Sequence, residues 1–307
     1  MTRILTIGLT LLAASALAAT NIHYYAQQGM KDKVEAELRA GVPVDALDER
    51  GRTPLQYAVG RGRDEVVQLL LEKGADPNRP DPDSDPPLLI ASLRGHARAV
   101  QLLLDKGADI DATNRIGFTA LHAAAQEGHD AIVEQLLAKG ASLRAKERRS
   151  ATPLYYAVLQ GRLSTVRLLL GKGADPNARD DRGCGPIVAA AAKGHLEVAK
   201  LLLERKASPT CANPLFGTAL HAAAREGHVA VAELLLAQGV PLEAEAFGKT
   251  ALAEAVEKGR VEVVKLLLNK GANVNAKDGG RQSVLQLAVK KGDPAIVDLL
   301  KAHGAKE

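Results

Sequence analysis

Tryptophan is absent from this 307-residue chain, phenylalanine occurs three times, and aromatic residues make up only 3% of it. That scarcity excludes an aromatic core and the interleaved aromatic and basic side chains on which single-stranded nucleic acid stacks. Apolar residues still amount to 46%, so the interior has to be built from alanine and leucine, and small side chains suit closely stacked helices. Charge of one sign is scarce too: 40 lysines and arginines against 36 acidic residues leave a net +4, too weak a bias for a dedicated polyanion binder. Catalytic motifs are missing: there is no Gly-x-Ser-x-Gly elbow, His-Glu-x-x-His pair or phosphate loop, and Gly183-Cys184-Gly185-Pro186 lacks the third glycine of a dinucleotide fingerprint. Neither an enzyme nor a cofactor is expected.

What is present is repetition. The stretch from Thr119, TALHAAAQEGHDAIVEQLLAKGA, returns from Thr218 as TALHAAAREGHVAVAELLLAQG, 99 residues later, or three steps of 33. Units begin at Thr20, Thr53, Pro86, Thr119, Thr152, Gly185, Thr218, Thr250 and Ser283, and every step is 33 except the 32 from Thr218 to Thr250. Nine places into each unit stands a glycine, from Gly29 to Gly292, as a tight helix-to-helix turn requires. A second glycine closes each second helix, except that Lys206 takes its place once, where strain or an altered cap is expected. Second helices carry apolar residues at places such as 66, 67, 69, 70 and 71, a stripe wide enough to be covered by neighbours on both sides.

A Thr-x-Leu-His-x-Ala opening, a mid-unit glycine and a leucine-rich second half at this period resemble the ankyrin repeat. The resemblance implies an all-α solenoid of about nine helix-turn-helix units, with polar connectors such as Ala75-Asp76-Pro77-Asn78 forming β-hairpin fingers. The residue missing from the shorter step falls between Gly239 and Thr250, in a turn that can absorb it. It also implies a non-enzymatic scaffold that binds a protein partner through its concave finger-and-first-helix surface, with His23, His122 and His221 hydrogen-bonded between the loops of adjacent units. Lys33 and Glu37 replace the apolar Val66 and Leu70 of the next unit, Lys301 replaces Leu268, and Asp293-Pro294 opens the last helix, so both ends read as solvated caps. One repeat domain over 19–307, monomeric and without a membrane span, is the expectation.

Residues 1–18 lie outside the repeat. After Arg3 an apolar run from Ile4 to Leu12 leads to Ala16-Leu17-Ala18, the small-residue pattern of a cleaved signal peptide. An uncleaved anchor is the competing reading, but the run falls short of the ~20 residues that span a bilayer. The chain is therefore expected to be exported, to a periplasm if the source is Gram-negative and otherwise secreted. The absence of Asn-x-Ser/Thr sites leans toward the bacterial case.

Among candidate site residues, His96, His129, His195 and His228 follow the turn glycine, where they would cap the second helix. Equivalent histidines on helices packed ~10 Å apart cannot converge on a zinc ion, whose ligands lie about 2.1 Å away. Asp81-Pro82-Asp83-Ser84-Asp85 starts like a calcium loop but lacks its glycine and final glutamate, and reads as a solvated acidic turn. No metal is expected. Ile116, Phe118, Leu215, Phe216 and Phe247 place apolar side chains in the fingers, either as partner contacts or as fingers packing on one another. Arg50, Arg52, Arg61, Arg94, Arg148, Arg149 and Arg182 form a basic stretch able to meet acidic side chains of a partner, muted by the acids among them. Tyr24, Tyr57 and Tyr156 share one place on the first helix, in the core or at the groove edge. A structural or protective envelope component without a groove partner is the second function kept open. Cys184 and Cys211 fall on the arms of successive fingers, where a disulfide competes with two free thiols. Protein recovered from its native compartment should begin at Ala19 and carry no alkylatable thiol; an intact Met1 or two labelled cysteines would contradict these expectations.

Overall fold

The computed structural model describes residues 21–183, 185–210, 212–213, 217–277 and 282–306. Residues 1–18, Cys184, Cys211, Leu215 and Phe216 lie outside that set. The chain divides into two compact bodies, one ending at Arg148 and the other beginning at Arg149. The first body holds helices α1 (21–28), α2 (Lys31–Arg39), α3 (Pro54–Gly60), α4 (Asp64–Glu72), α5 (Pro87–Arg94), α6 (Ala97–Asp105), α7 (Ala120–Glu127) and α8 (Asp130–Ala138). In the second are α9 (Pro153–Leu159), α10 (Leu163–Gly171), α11 (Pro186–Lys193) and α12 (Leu196–Glu204). Then come the strands β1 (Ala212–Asn213) and β2 (Gly217–Thr218), followed by α13 (Ala219–Glu226), α14 (Val229–Ala237), α15 (Ala251–Glu257), α16 (Val261–Asn269), α17 (Val284–Lys291) and α18 (Pro294–Ala302). Among the described residues no helix is long and apolar enough to cross a membrane.

Most first helices start where the sequence supplies a side-chain cap, while α5 and α11 start after Pro86 and Gly185 without one. Thr53 accepts the Gln56 amide at 3.3 Å while the Gln56 side chain accepts the Thr53 amide at 2.9 Å, so two orphan donors of the helix end are satisfied reciprocally. Thr119 with His122 and Thr218 with His221 form the same box, the ring Nδ1 accepting from the threonine amide at 3.2 Å in each. Helices of seven to nine residues are too short to persist alone. They persist because their apolar stripes are shared: Val66, Val67, Leu70, Val100 and Leu103 are fully buried between successive pairs, and alanines such as Ala123, Ala190 and Ala223 let the first helices approach closely. On α2, near the beginning of the first body, the stripe is interrupted as its sequence dictates, Lys33 being exposed and Glu37 half-buried.

The fingers are turns more than hairpins. Pairing among the described residues is confined to β1 with β2 and to single bridges such as Thr113 with Thr119 and Ala246 with Lys249. Elsewhere an Asp or Asn folds the finger on itself: Asp48 Oδ1 accepts the amides of Arg50 and Arg52, both at 2.9 Å, and Asp81 Oδ1 those of Asp83 and Asp85 at 2.9 and 3.0 Å. The acidic run at 81–85 is thus an Asx turn, and Ser84 takes its left-handed position.

Lys206 keeps the geometry of the glycines it replaces. Its φ is +66°, its amide donates to Leu203 O at 3.0 Å and that of Ala207 to Leu202 O at 2.9 Å, as Gly74 and Ala75 do with Leu71 and Leu70. The cap is unaltered, and the departure is strain in a backbone region that side chains disfavour. At the equivalent Gly74, Gly107 and Gly173 a Cβ would meet nothing within 4 Å, so the cost is conformational and not steric. Lys206→Gly should therefore stabilise the second body by about 0.5–1 kcal/mol, read as a higher urea midpoint; an unchanged or lower midpoint would show the strain to be absent.

Candidate interaction surface

Seven of the eight histidines fall into two structural sets by their place in the unit, and His303, exposed after α18, belongs to neither. His23 Nε2 donates to Ala46 O at 2.8 Å and His221 Nε2 to Lys249 O at 3.0 Å, joining a first helix to the following finger. Because Nδ1 of His221 accepts from an amide, the proton resides on Nε2. Burial lowers the pKa of both rings below the ordinary 6.5, against the raising effect of those carbonyls.

The second set corrects an expectation. His96, His129, His195 and His228 occupy N-cap positions, yet none makes a side-chain cap hydrogen bond. Instead the rings reach back one unit: His129, His195 and His228 donate through Nε2 to the carbonyls of Leu93, Leu159 and Ala192 at 3.3, 3.3 and 3.2 Å. Each lies over the turn glycine of the preceding unit. A Cβ on Gly194, whose φ is +71°, would come within 2.5 Å of His228 Nδ1. Arg63 and Arg260 perform the same closure through Nε to Gln27 O and Arg225 O. Sequence reasoning saw the turn and missed the ring above it, because the contact spans 36 residues.

The apolar fingertip residues separate. Phe118 is only 7% exposed and stacks on His122, with centroids 5.0 Å apart, so it is a packing residue of the finger base and not an exposed contact. The reason is register: it immediately precedes the cap Thr119 and points back onto α7. Ile116, two residues earlier, is exposed. Phe247 is 61% exposed in the second body, and its turn explains why. The 32-residue step removes one residue from this finger, so Ala246 pairs directly with Lys249 across a two-residue loop with Phe247 at φ +52° and Gly248 at +69°. That is a type I′ turn, in which a left-handed phenylalanine is unfavourable.

The arginines are likewise distributed. Arg148 belongs to the first body and Arg149 and Arg182 to the second, all three exposed. Within the first body Arg52, Arg61 and Arg94 line one groove of about 370 Å³ together with Gln27, Tyr57, Ile90, Leu93 and Asp81, Asp83 and Asp85. Tyr57 stands at the groove edge, its hydroxyl donating to Asp48 Oδ2 at 2.7 Å, whereas Tyr24 is exposed and Tyr156 half-buried. Burial opposes ionisation of Asp48, but the Tyr57 hydroxyl and the Arg52 and Arg50 amides outweigh it and hold its pKa below the ordinary carboxylate value. Among the described residues no group of histidine, cysteine and carboxylate side chains is placed to hold a metal ion.

Short helix pairs linked by polar fingers and packed through shared stripes define a helical repeat protein with a finger-lined surface. The family model for ankyrin repeats matches residues 22–114, 88–180 and 187–278, and the chain belongs to that family, whose repeats serve as protein–protein interaction modules. No curated protein matches the chain.

His221 yields a pH prediction. Its folded pKa lies below 6.5, so the unfolded chain binds more protons as pH falls through that value, and stability is lost from about pH 6.5 downward. Gln56 shows that glutamine in the same place keeps the box and reaches the next finger, at Arg79 O, 2.9 Å away. His221→Gln should therefore flatten the stability profile below about pH 6.5 by up to ~1.4 kcal/mol per pH unit. Parallel profiles for the two proteins would assign the titration elsewhere.

Proposed function

We propose that the chain is a non-enzymatic scaffold that docks a protein partner on the exposed fingers and first-helix faces of its bodies. The family supports binding in general; the observation that carries this particular surface is Phe247. A large aromatic side chain is held out in solvent, in a backbone conformation that costs it about 1 kcal/mol, at the tip of the one shortened finger. Folding is not served by that arrangement. Exposed aromatics of this kind supply the anchors of interfaces. Export is part of the proposal on the strength of residues 1–18, which places the partner outside the cytosol.

Asparagine tolerates the left-handed region, so Phe247→Asn should stabilise the second body by about 0.5–1 kcal/mol while removing the anchor. Capture of a stoichiometric partner from the native compartment should fall about tenfold or more with that substitution. Capture undiminished by it, or the return of no stoichiometric protein by the wild-type chain, would count against the scaffold reading.

A further inference from the structure

In the groove of the first body, the cationic side chains without a described partner lie on one wall. On the finger wall the carboxylates are engaged: Asp81 accepts two finger amides, Asp85 Oδ1 accepts Asn114 Nδ2 at 2.8 Å, and Arg52 lies 3.8 Å from Asp81 and 3.5 Å from Asp83. On the helix wall Arg61, at the C-cap of α3, and Arg94, in the last turn of α5, are exposed, and neither side chain makes a hydrogen bond or ion pair with another described residue. Both arginines, each carrying five guanidinium N–H donors, line one groove together with Tyr57, Ile90 and Leu93. The two arginines occupy the same place in successive units, eight residues after the caps Thr53 and Pro86. At that place the preceding unit has Gln28 and the following one Glu127, so the basic pair is bounded by a neutral residue and an acid.

Resting on the scaffold reading, we propose that this groove binds a segment of the partner in polyproline II conformation, with acidic residues at positions i and i+3 that pair with Arg61 and Arg94. Spacing selects the conformation. Equivalent side chains on packed neighbouring helices recur about every 8–10 Å. A polyproline II segment returns a side chain to the same face every three residues, about 9 Å on, whereas a β-strand presents its same-face neighbours only about 7 Å apart. Each guanidinium offers a fork that matches one carboxylate in a bidentate pair. The intervening residues face the fingers, where the engaged carboxylates favour neutral or basic side chains. Glu127 disfavours a third acid, so the acidic pair is register-specific. An arginine in the last turn also complements the helix dipole, but that contribution needs no ligand, and a binding measurement separates the two.

The test uses the full chain and a blocked peptide containing Glu-Pro-Pro-Glu, followed by fluorescence anisotropy. Binding is expected to weaken as salt rises and to be lost when both glutamates are lysine. Arg61→Gln with Arg94→Gln should weaken it about tenfold, and each substitution alone about threefold. Both sites are exposed and glutamine is a good helix former, so far-ultraviolet circular dichroism should be unchanged. Arg98→Gln, on the second helix α6, should leave affinity intact. The proposal is overturned by absence of peptide binding, by equal affinity in the double variant, or by an oligonucleotide that binds more tightly through the same two arginines. A native partner still captured by the double arginine variant but not by Phe247→Asn would remove this inference and leave the scaffold reading standing.

Discussion

No helix pair in this protein buries enough surface to stand alone, so the whole structure depends on the contact each pair makes with the next within its body. Helices of seven to nine residues lie below the length at which a helix is stable by itself in water. What they lack in length they recover by sharing an apolar stripe on both sides. The stripe closes because alanines hold the first helices near one another and leucines fill the second layer. Stability is then a sum over neighbouring interfaces, and the exposed fingers contribute little to it.

A second constraint runs between units through polar groups. Rings and guanidinium groups at the start of one second helix reach over the turn glycine of the unit before and satisfy a carbonyl at the end of its first helix. The glycine serves two purposes there: it adopts the left-handed turn, and it leaves the space that the ring fills. Asn78 and Asn177 add a parallel latch, each donating to one backbone carbonyl and accepting one amide of the following unit. Repetition of the sequence is thus repetition of the same few bonds, which is why histidines that suggest chemistry when read singly serve packing when read in their period.

Against this regular frame the irregular positions acquire meaning. Lys206 and Phe247 both hold left-handed backbone conformations with a side chain attached, but their consequences differ. Lys206 preserves a cap and exposes only a solvated chain. Phe247 presents an aromatic ring at a fingertip created by a one-residue deletion. Arg61 and Arg94 depart differently: they are placed regularly, yet they remain unsatisfied among the described residues in a groove whose carboxylates are already engaged.

Much of the fold was legible in the linear chain, because period, caps and turn residues are local properties. The 33-residue spacing, the threonine caps and the glycine closures locate helix pairs without any long-range information, and the shorter step located the altered finger. Side-chain roles were less legible. Phe118 and Phe247 look alike in sequence, each beside a glycine in a finger, yet one is stacked on His122 and the other stands in solvent. The difference arises from place in the turn: Phe247 is the first residue of the two-residue loop between Ala246 and Lys249, whereas Phe118 lies past its turn, on the returning arm whose carbonyl accepts the Asn114 amide at 3.1 Å. The seven arginines form one group when counted along the chain, but tertiary structure assigns them to two bodies and leaves only some of them open. Sequence determined the repeating unit, because backbone propensity and apolar period act within about thirty residues. Tertiary structure alone decided which polar groups were consumed and which left free, because that accounting is settled by contacts between residues a full repeat apart.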